Sequence, residues 1–196
     1  VQDALGAGHA GAFDLVAGCP AFLYALTVAD RFIRTGAYRT ILVVGAECAS
    51  RIMDLQDKST CAFFGDGAGA VVLAARDQPG GLLGFALGAD GSGSDLLILP
   101  AGGSRLPLSQ EVLDKKQQYG RMDGGAMYRF GLKAVAQAVK ESLLNAGVSL
   151  EEIDLFIPHQ SNVRLIQQAA QALKLPPEKV FVNVDRYANT SSAALP

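Results

Sequence analysis

The sequence contains no tryptophan, two histidines and three cysteines in 196 residues. Cys19, Cys48 and Cys61 form neither an even set nor a C-x-x-C pair, and with only two histidines in the chain no metal is expected. An odd, unpaired set of cysteines suits reduced thiols in a reducing compartment rather than a disulfide framework. An excess of one charge is also missing: 17 Lys and Arg stand against 19 Asp and Glu, a net −2. With no basic stripe interleaved with aromatics, nucleic acid is not an expected partner. Apolar runs such as "AFDLVAG" and "TILVVGA" fall far short of the roughly 20 residues a membrane-crossing helix needs. The N-terminus lacks a charged-then-apolar leader, so no membrane and a cytoplasmic location are the expectations.

What is present is apolar. Hydrophobic residues make up 49% of the chain, enough for a well-buried globular core. "AFDLV" (12–16) predicts a buried strand, and from Pro20 apolar residues recur at three- and four-residue steps to a stop at Gly36, a helix. "TILVVGAE" (40–47) predicts a strand buried on both faces, and "FFGDGAGAVVLAA" (63–75) a glycine-broken one. "GDGAG" lacks the P-loop lysine and the full dinucleotide fingerprint, so it predicts a bulge or a close backbone approach. "DQPGG" (77–81) marks a boundary between two parts, 1–78 and 79–196. Beyond it, "LLGFALGADG" and "DLLILPA" predict strands, residues 100–121 a polar loop, and Gly124 to Asn145 a long helix closed by Gly147. "IDLFIPHQ" (153–160) predicts a strand, "NVRLIQQAAQALKL" a helix and "KVFVNV" (179–184) a further strand. Alternating strands and helices predict an α/β layered fold around a largely buried sheet. The opening "VQDALGAGHAG" has no capped element before it, and "NTSSAALP" stops where a helix would begin, the pattern expected of part of a longer protein.

Three residues carry candidate chemistry. Cys19 lies between a strand pattern and a helix start, where the helix's free N–H groups favour a thiolate and lower the thiol pKa. Packing as a small hydrophobe is its alternative, and is the reading for Cys48 and Cys61. His159 ends a strand pattern beside Gln160 and Asn162, at the edge where α/β proteins place ligands; His9 lacks such a setting. Asn189 follows the next strand, where a cap or turn role competes with a functional one. Together a cysteine, a histidine and an asparagine suit carbon–carbon bond formation from thioesters, with a thiolate to carry the acyl group and two donors for an enolate oxygen.

"AFDLVAGCPAFLYAL", "FFGDGAGAVVL", "RMDGGAMYRF", "IPHQSNVRLI" and "ANTSSAALP" resemble, in order, β-ketoacyl-acyl-carrier-protein synthase III of the thiolase-like superfamily. The resemblance implies a layered α-β-α-β-α fold, here incomplete at both ends: 1–78 as the C-terminal part of the first half and 79–196 as most of the second. It implies the initiating condensation of type II fatty acid synthesis. An acyl-CoA loads Cys19, and malonyl-acyl-carrier protein, decarboxylated to an enolate held by His159 and Asn189, attacks the acyl-enzyme. No cofactor is implied, because both thioesters are substrates, and the family pairs as a homodimer.

Elongating synthases pair two histidines with the cysteine; Asn189 stands in place of the second. The resemblance further places Lys58, where the family often has arginine, near the CoA nucleotide. It places Gly124 and Asn162 along the phosphopantetheine channel and Arg164 at the carrier-protein docking patch. Departures are Pro20 and Ala21 after the cysteine, "HQSN" for "HQAN" and "ANTSSA" for "GNTSAA"; none removes a catalytic side chain. Related synthases making a ketone, alkylquinolone or polyketide starter share the motif and stay open as alternatives. So does a non-catalytic thiolase-like binding subunit.

Overall fold

The computed structural model describes all 196 residues. Helix α1 (Ala21–Arg34) forms where the apolar period predicts it. It lays Phe22, Ala25, Leu26 and Ala29 against Ile41 and Val43 of strand β1 (Thr40–Glu47) and Val71 and Leu73 of strand β2 (Gly67–Ala74). β1 and β2 pair antiparallel along their whole length, Thr40 opposite Ala74 and Glu47 opposite Gly67. Burial alternates along both strands. One face meets α1, while the other leaves Leu42, Val44 and Val72 exposed, contrary to the expectation of a strand buried on both faces. An apolar pattern reports that a face needs cover; within this chain nothing covers that one.

Asp66 of the "GDGAG" stretch accepts hydrogen bonds from the Ser50 amide (2.8 Å) and hydroxyl (2.6 Å), fixing the turn at Ala49–Arg51. Close backbone approach is also realised there. A Cβ on Gly65 would lie 2.5 Å from the Tyr187 carbonyl oxygen, so only glycine lets residues 187–189 run beside residues 63–65.

Beyond residue 90 the chain holds two minimal strands, β3 (Leu97–Ile98) and β4 (Arg121–Met122), paired antiparallel. Helix α2 (Gln110–Asp114) lies between them, inside the stretch expected to be loop. Helix α3 (Gly124–Ala146) begins at Asp123, whose side chain accepts from the Ala126 amide, and closes at Gly147 as expected. It packs on α4 (Val163–Ala172). The crossing is tight, with Leu165 lying over Gly131, and Tyr128 donates to Gln168 across it at 2.7 Å.

Five predicted strands differ from expectation. Residues 12–16 are extended but unpaired, with Phe13 and Val16 70% and 92% exposed. Residues 82–89 form no strand, and "DLLILPA" only the two residues of β3. "IDLFIPHQ" and "KVFVNV" meet in a single parallel bridge, Phe156 with Val180, before the short helix α5 (Val184–Tyr187). A strand exists only through a hydrogen-bonded neighbour. These segments have the apolar pattern of strands but little or no ladder partner within the chain.

Candidate active site

Cys19 sits immediately before α1, whose first turn has no side-chain cap. The Ala21 amide at that end donates to the Gly18 carbonyl, and Cys19's own amide favours its thiolate form. Asn189 arrives from the far end of the chain. Its amide donates to the Phe63 carbonyl and its carbonyl accepts from the Gly65 amide, both at 2.9 Å, a parallel bridge that pins it beside the end of β2. Its side-chain oxygen accepts from the Ser191 amide at 2.8 Å. The side chains of Ser191 and Asn189 lie near enough to the Cys19 thiol to favour its thiolate form. Residues separated by most of the chain thus meet at one sulfur.

The direction of the Cys19 pKa differs from the sequence expectation. Burial raises it, Ser191 lowers it, the nearby Glu47 charge raises it, and its own amide and Asn189 lower it; burial prevails and the net direction is upward. A helix start offers partial positive charge, but withdrawing a thiolate from water costs more than those donors return. The resting group is a thiol.

His159 makes no side-chain hydrogen bond to Cys19 or Asn189, and its Nδ1 is shut away from water without a partner. Burial lowers its pKa to about 4, so the ring is neutral at pH 7. Its position is set by Gln160, which is only 1% exposed. Gln160 donates to the Pro158 and Phe181 carbonyls and accepts from the Asn183 amide at 2.9 Å. One amide side chain thereby binds the His159 segment to the arm that leads, through α5, to Asn189.

Asn162 caps α4, its side-chain oxygen accepting from the Arg164 amide at 2.8 Å and from Leu165 at 3.4 Å. Asn162 and exposed Arg164 line a groove of about 490 Å³ together with Phe63, Ser161, Asp185 and Ala188. The groove therefore touches the residues flanking both His159 and Asn189. Gly124 is exposed at the first residue of α3, and Lys58 is exposed in the turns between β1 and β2; neither lines that groove. Glu47 and Ser191 were not singled out in the sequence. The available signals were a lone acid ending an apolar strand and the serine inside "NTSSA".

A thiol just ahead of a helix, with an asparagine of a pinned arm near it, sits here in a thiolase-like fold. Residues 13–91 match the family model described as 3-oxoacyl-[acyl-carrier-protein (ACP)] synthase III, and residues 143–196 the model of its C-terminal part. The β-ketoacyl-[acyl-carrier-protein] synthase III of Syntrophomonas wolfei is 45% identical over 196 residues, which is 100% of this chain and 59% of that protein. The crystal structure of 3-oxoacyl-[acyl-carrier-protein] synthase III from Aquifex aeolicus superposes with a TM-score of 0.87 at 40% identity, covering 100% of this chain and 58% of that one. The priming β-ketosynthase of the R1128 polyketide pathway superposes at 0.83 with 34% identity, covering 98% and 57%. The chain belongs to the 3-oxoacyl-[acyl-carrier-protein] synthase III family, and it spans about three fifths of the length of the curated relatives it matches.

Proposed function

We propose that this chain carries the condensing site of an initiating β-ketoacyl-acyl-carrier-protein synthase, an acyltransferase. The observation that carries the reading is the meeting of Cys19 with Asn189 and Ser191, each within a segment matched by the family models. Cys19 loses its proton and attacks the thioester carbon of an acyl-CoA; the CoA thiolate leaves and takes up a proton. The amides at the start of α1 favour that thiolate, and Ser191 and Asn189 offset part of its desolvation. Malonyl-acyl-carrier protein then enters, its carbon–carbon bond to the carboxylate breaks, and carbon dioxide departs. The electron pair moves to the thioester oxygen as an enolate. His159, neutral at pH 7, and the Asn189 side-chain NH2 each donate a hydrogen bond to that oxygen. Removing one such donor typically costs about 3–4 kcal/mol of transition-state stabilisation. The enolate carbon attacks the acyl-enzyme, Cys19 leaves as thiolate, and 3-oxoacyl-carrier protein is released. The groove lined by Asn162 and Arg164 suits the entry of the phosphopantetheine arm, with Arg164 facing the acidic carrier protein; Lys58 is assigned to the CoA nucleotide and Gly124 to the channel.

Cys19→Ser tests the reading in the intact gene product. It should abolish formation of a covalent acyl-enzyme, read by intact mass after incubation with acyl-CoA, while malonyl decarboxylation survives. Loss of both in a folded variant contradicts the division of roles. A second reading, priming of a polyketide rather than a fatty acid, is favoured by the likeness to the R1128 ketosynthase. Product analysis with defined acyl-CoA starters separates the two.

A further inference from the structure

Asn189 is bracketed by backbone that its neighbours do not favour. Ala188 has φ 57° and ψ −164°, a region otherwise left almost entirely to glycine, and Ser191 has φ 52°. Such a turn persists only where its surroundings hold it. On one side the bridge to Phe63 and Gly65 does so. On the other stands Glu47, the last residue of β1. Its Oε1 accepts from the Ser192 hydroxyl at 2.6 Å, the Ser191 hydroxyl at 3.2 Å and the Ser192 amide at 3.3 Å. β1 is pressed onto this turn: a Cβ on Gly45, two residues earlier on the same strand, would lie 2.5 Å from the Ser192 carbonyl oxygen. The carboxylate also lies close enough to Cys19 to act on it through its charge.

We propose that Glu47 is a positioning residue for the condensation: its carboxylate holds the 188–192 turn in the strained form that presents Asn189 and Ser191 to Cys19. The role rests on the synthase reading, since it gives Asn189 and Ser191 their purpose. A carboxylate suits it because one oxygen takes three donors from two consecutive residues, a charge-assisted set stronger than neutral bonds. The same charge opposes a thiolate at Cys19, and the Ser191 hydroxyl, with one hydrogen to give, donates either to Glu47 or to a Cys19 thiolate. The arrangement favours the thiol while the site is empty.

The test uses the intact gene product and two variants. Glu47→Ala loses both the acceptor and the charge; Glu47→Gln keeps an acceptor oxygen and loses only the charge. Malonyl decarboxylation by Glu47→Ala should fall at least tenfold in kcat with KM within twofold of the original. Glu47→Gln should restore kcat to within threefold. In Glu47→Gln the pH midpoint of Cys19 alkylation by iodoacetamide should move to lower pH, a change that a purely structural glutamate would not produce. An unchanged alkylation profile in Glu47→Gln, or an unchanged kcat in folded Glu47→Ala, overturns the proposal. If Glu47→Ala does not fold, the profile of Glu47→Gln decides alone. If the unaltered protein decarboxylates nothing, the synthase reading fails, and the alkylation profile still decides whether Glu47 acts on Cys19.

Discussion

His159 illustrates how much a single residue's environment matters. A histidine whose folded pKa is depressed binds its proton more readily when unfolded, so its contribution to stability is complete above the ordinary value. That contribution is lost as pH falls from about 6.5 to about 4. At about 1.4 kcal/mol per pH unit, the span is worth at most about 3.5 kcal/mol. Urea unfolding at pH 7 and pH 4.5 should show His159→Gln losing less stability on acidification than the unaltered protein. Equal losses would mean that the ring does not stay neutral in the fold. The same neutrality fits its proposed role, since an uncharged donor can strengthen its hydrogen bond as the enolate develops. Cys19 teaches the complementary point: its position at a helix start predicts a lowered pKa, but burial and Glu47 turn the direction upward.

Among the elements, the arm from Asn183 to Ser192 matters most, because it carries Asn189 yet contains little regular structure. Gln160 holds its beginning, Gly65 permits its passage and Glu47 grips its end. Gly65→Ala would place a methyl 2.5 Å from the Tyr187 backbone oxygen, which cannot move without shifting Asn189. We expect a loss of about 1–3 kcal/mol in thermal unfolding and a fall in malonyl decarboxylation. Gly8→Ala, where nothing lies within 4 Å, should change neither. A Gly65→Ala variant with full activity and stability would show that the arm tolerates displacement. The longer helices behave differently. α1, α3 and α4 carry their own hydrogen bonds and need only one apolar face covered, which is why their bounds follow the sequence so closely.

At the scale of the molecule, exposed surface is the dominant fact. The 20.5 kDa chain exposes 13053 Å², whereas a compact monomer of that mass exposes about 8,900 Å² by the usual scaling. The outer face of β1 and β2, with Leu42, Val44 and Val72 exposed among small apolar residues, is part of the difference. A contiguous apolar face of this kind is prone to association. The 196 residues expressed alone should therefore self-associate in light scattering, and Leu42→Lys with Val72→Lys should reduce that association. The intact gene product should scatter as a homodimer, in keeping with the proposed synthase. A monodisperse 20.5 kDa species from the isolated residues would refute the argument from surface.

By itself the sequence determined helices α1, α3 and α4, the strand segments that became β1 and β2, the backbone irregularity at "GDGAG" and the motifs that led to Cys19, His159 and Asn189. All of these rest on local period, on small residues, or on side-chain types whose chemistry is rare in combination. Only the tertiary structure decided which apolar segments become strands, because pairing depends on a neighbour that no local pattern specifies. It alone brought Glu47 and Ser191, 144 positions apart, onto one hydrogen bond beside the Cys19 thiol. It also set the direction of the two shifted pKa values in the site, since the free energy of a charge depends on the water and partners around it, and those exist only once the chain has folded.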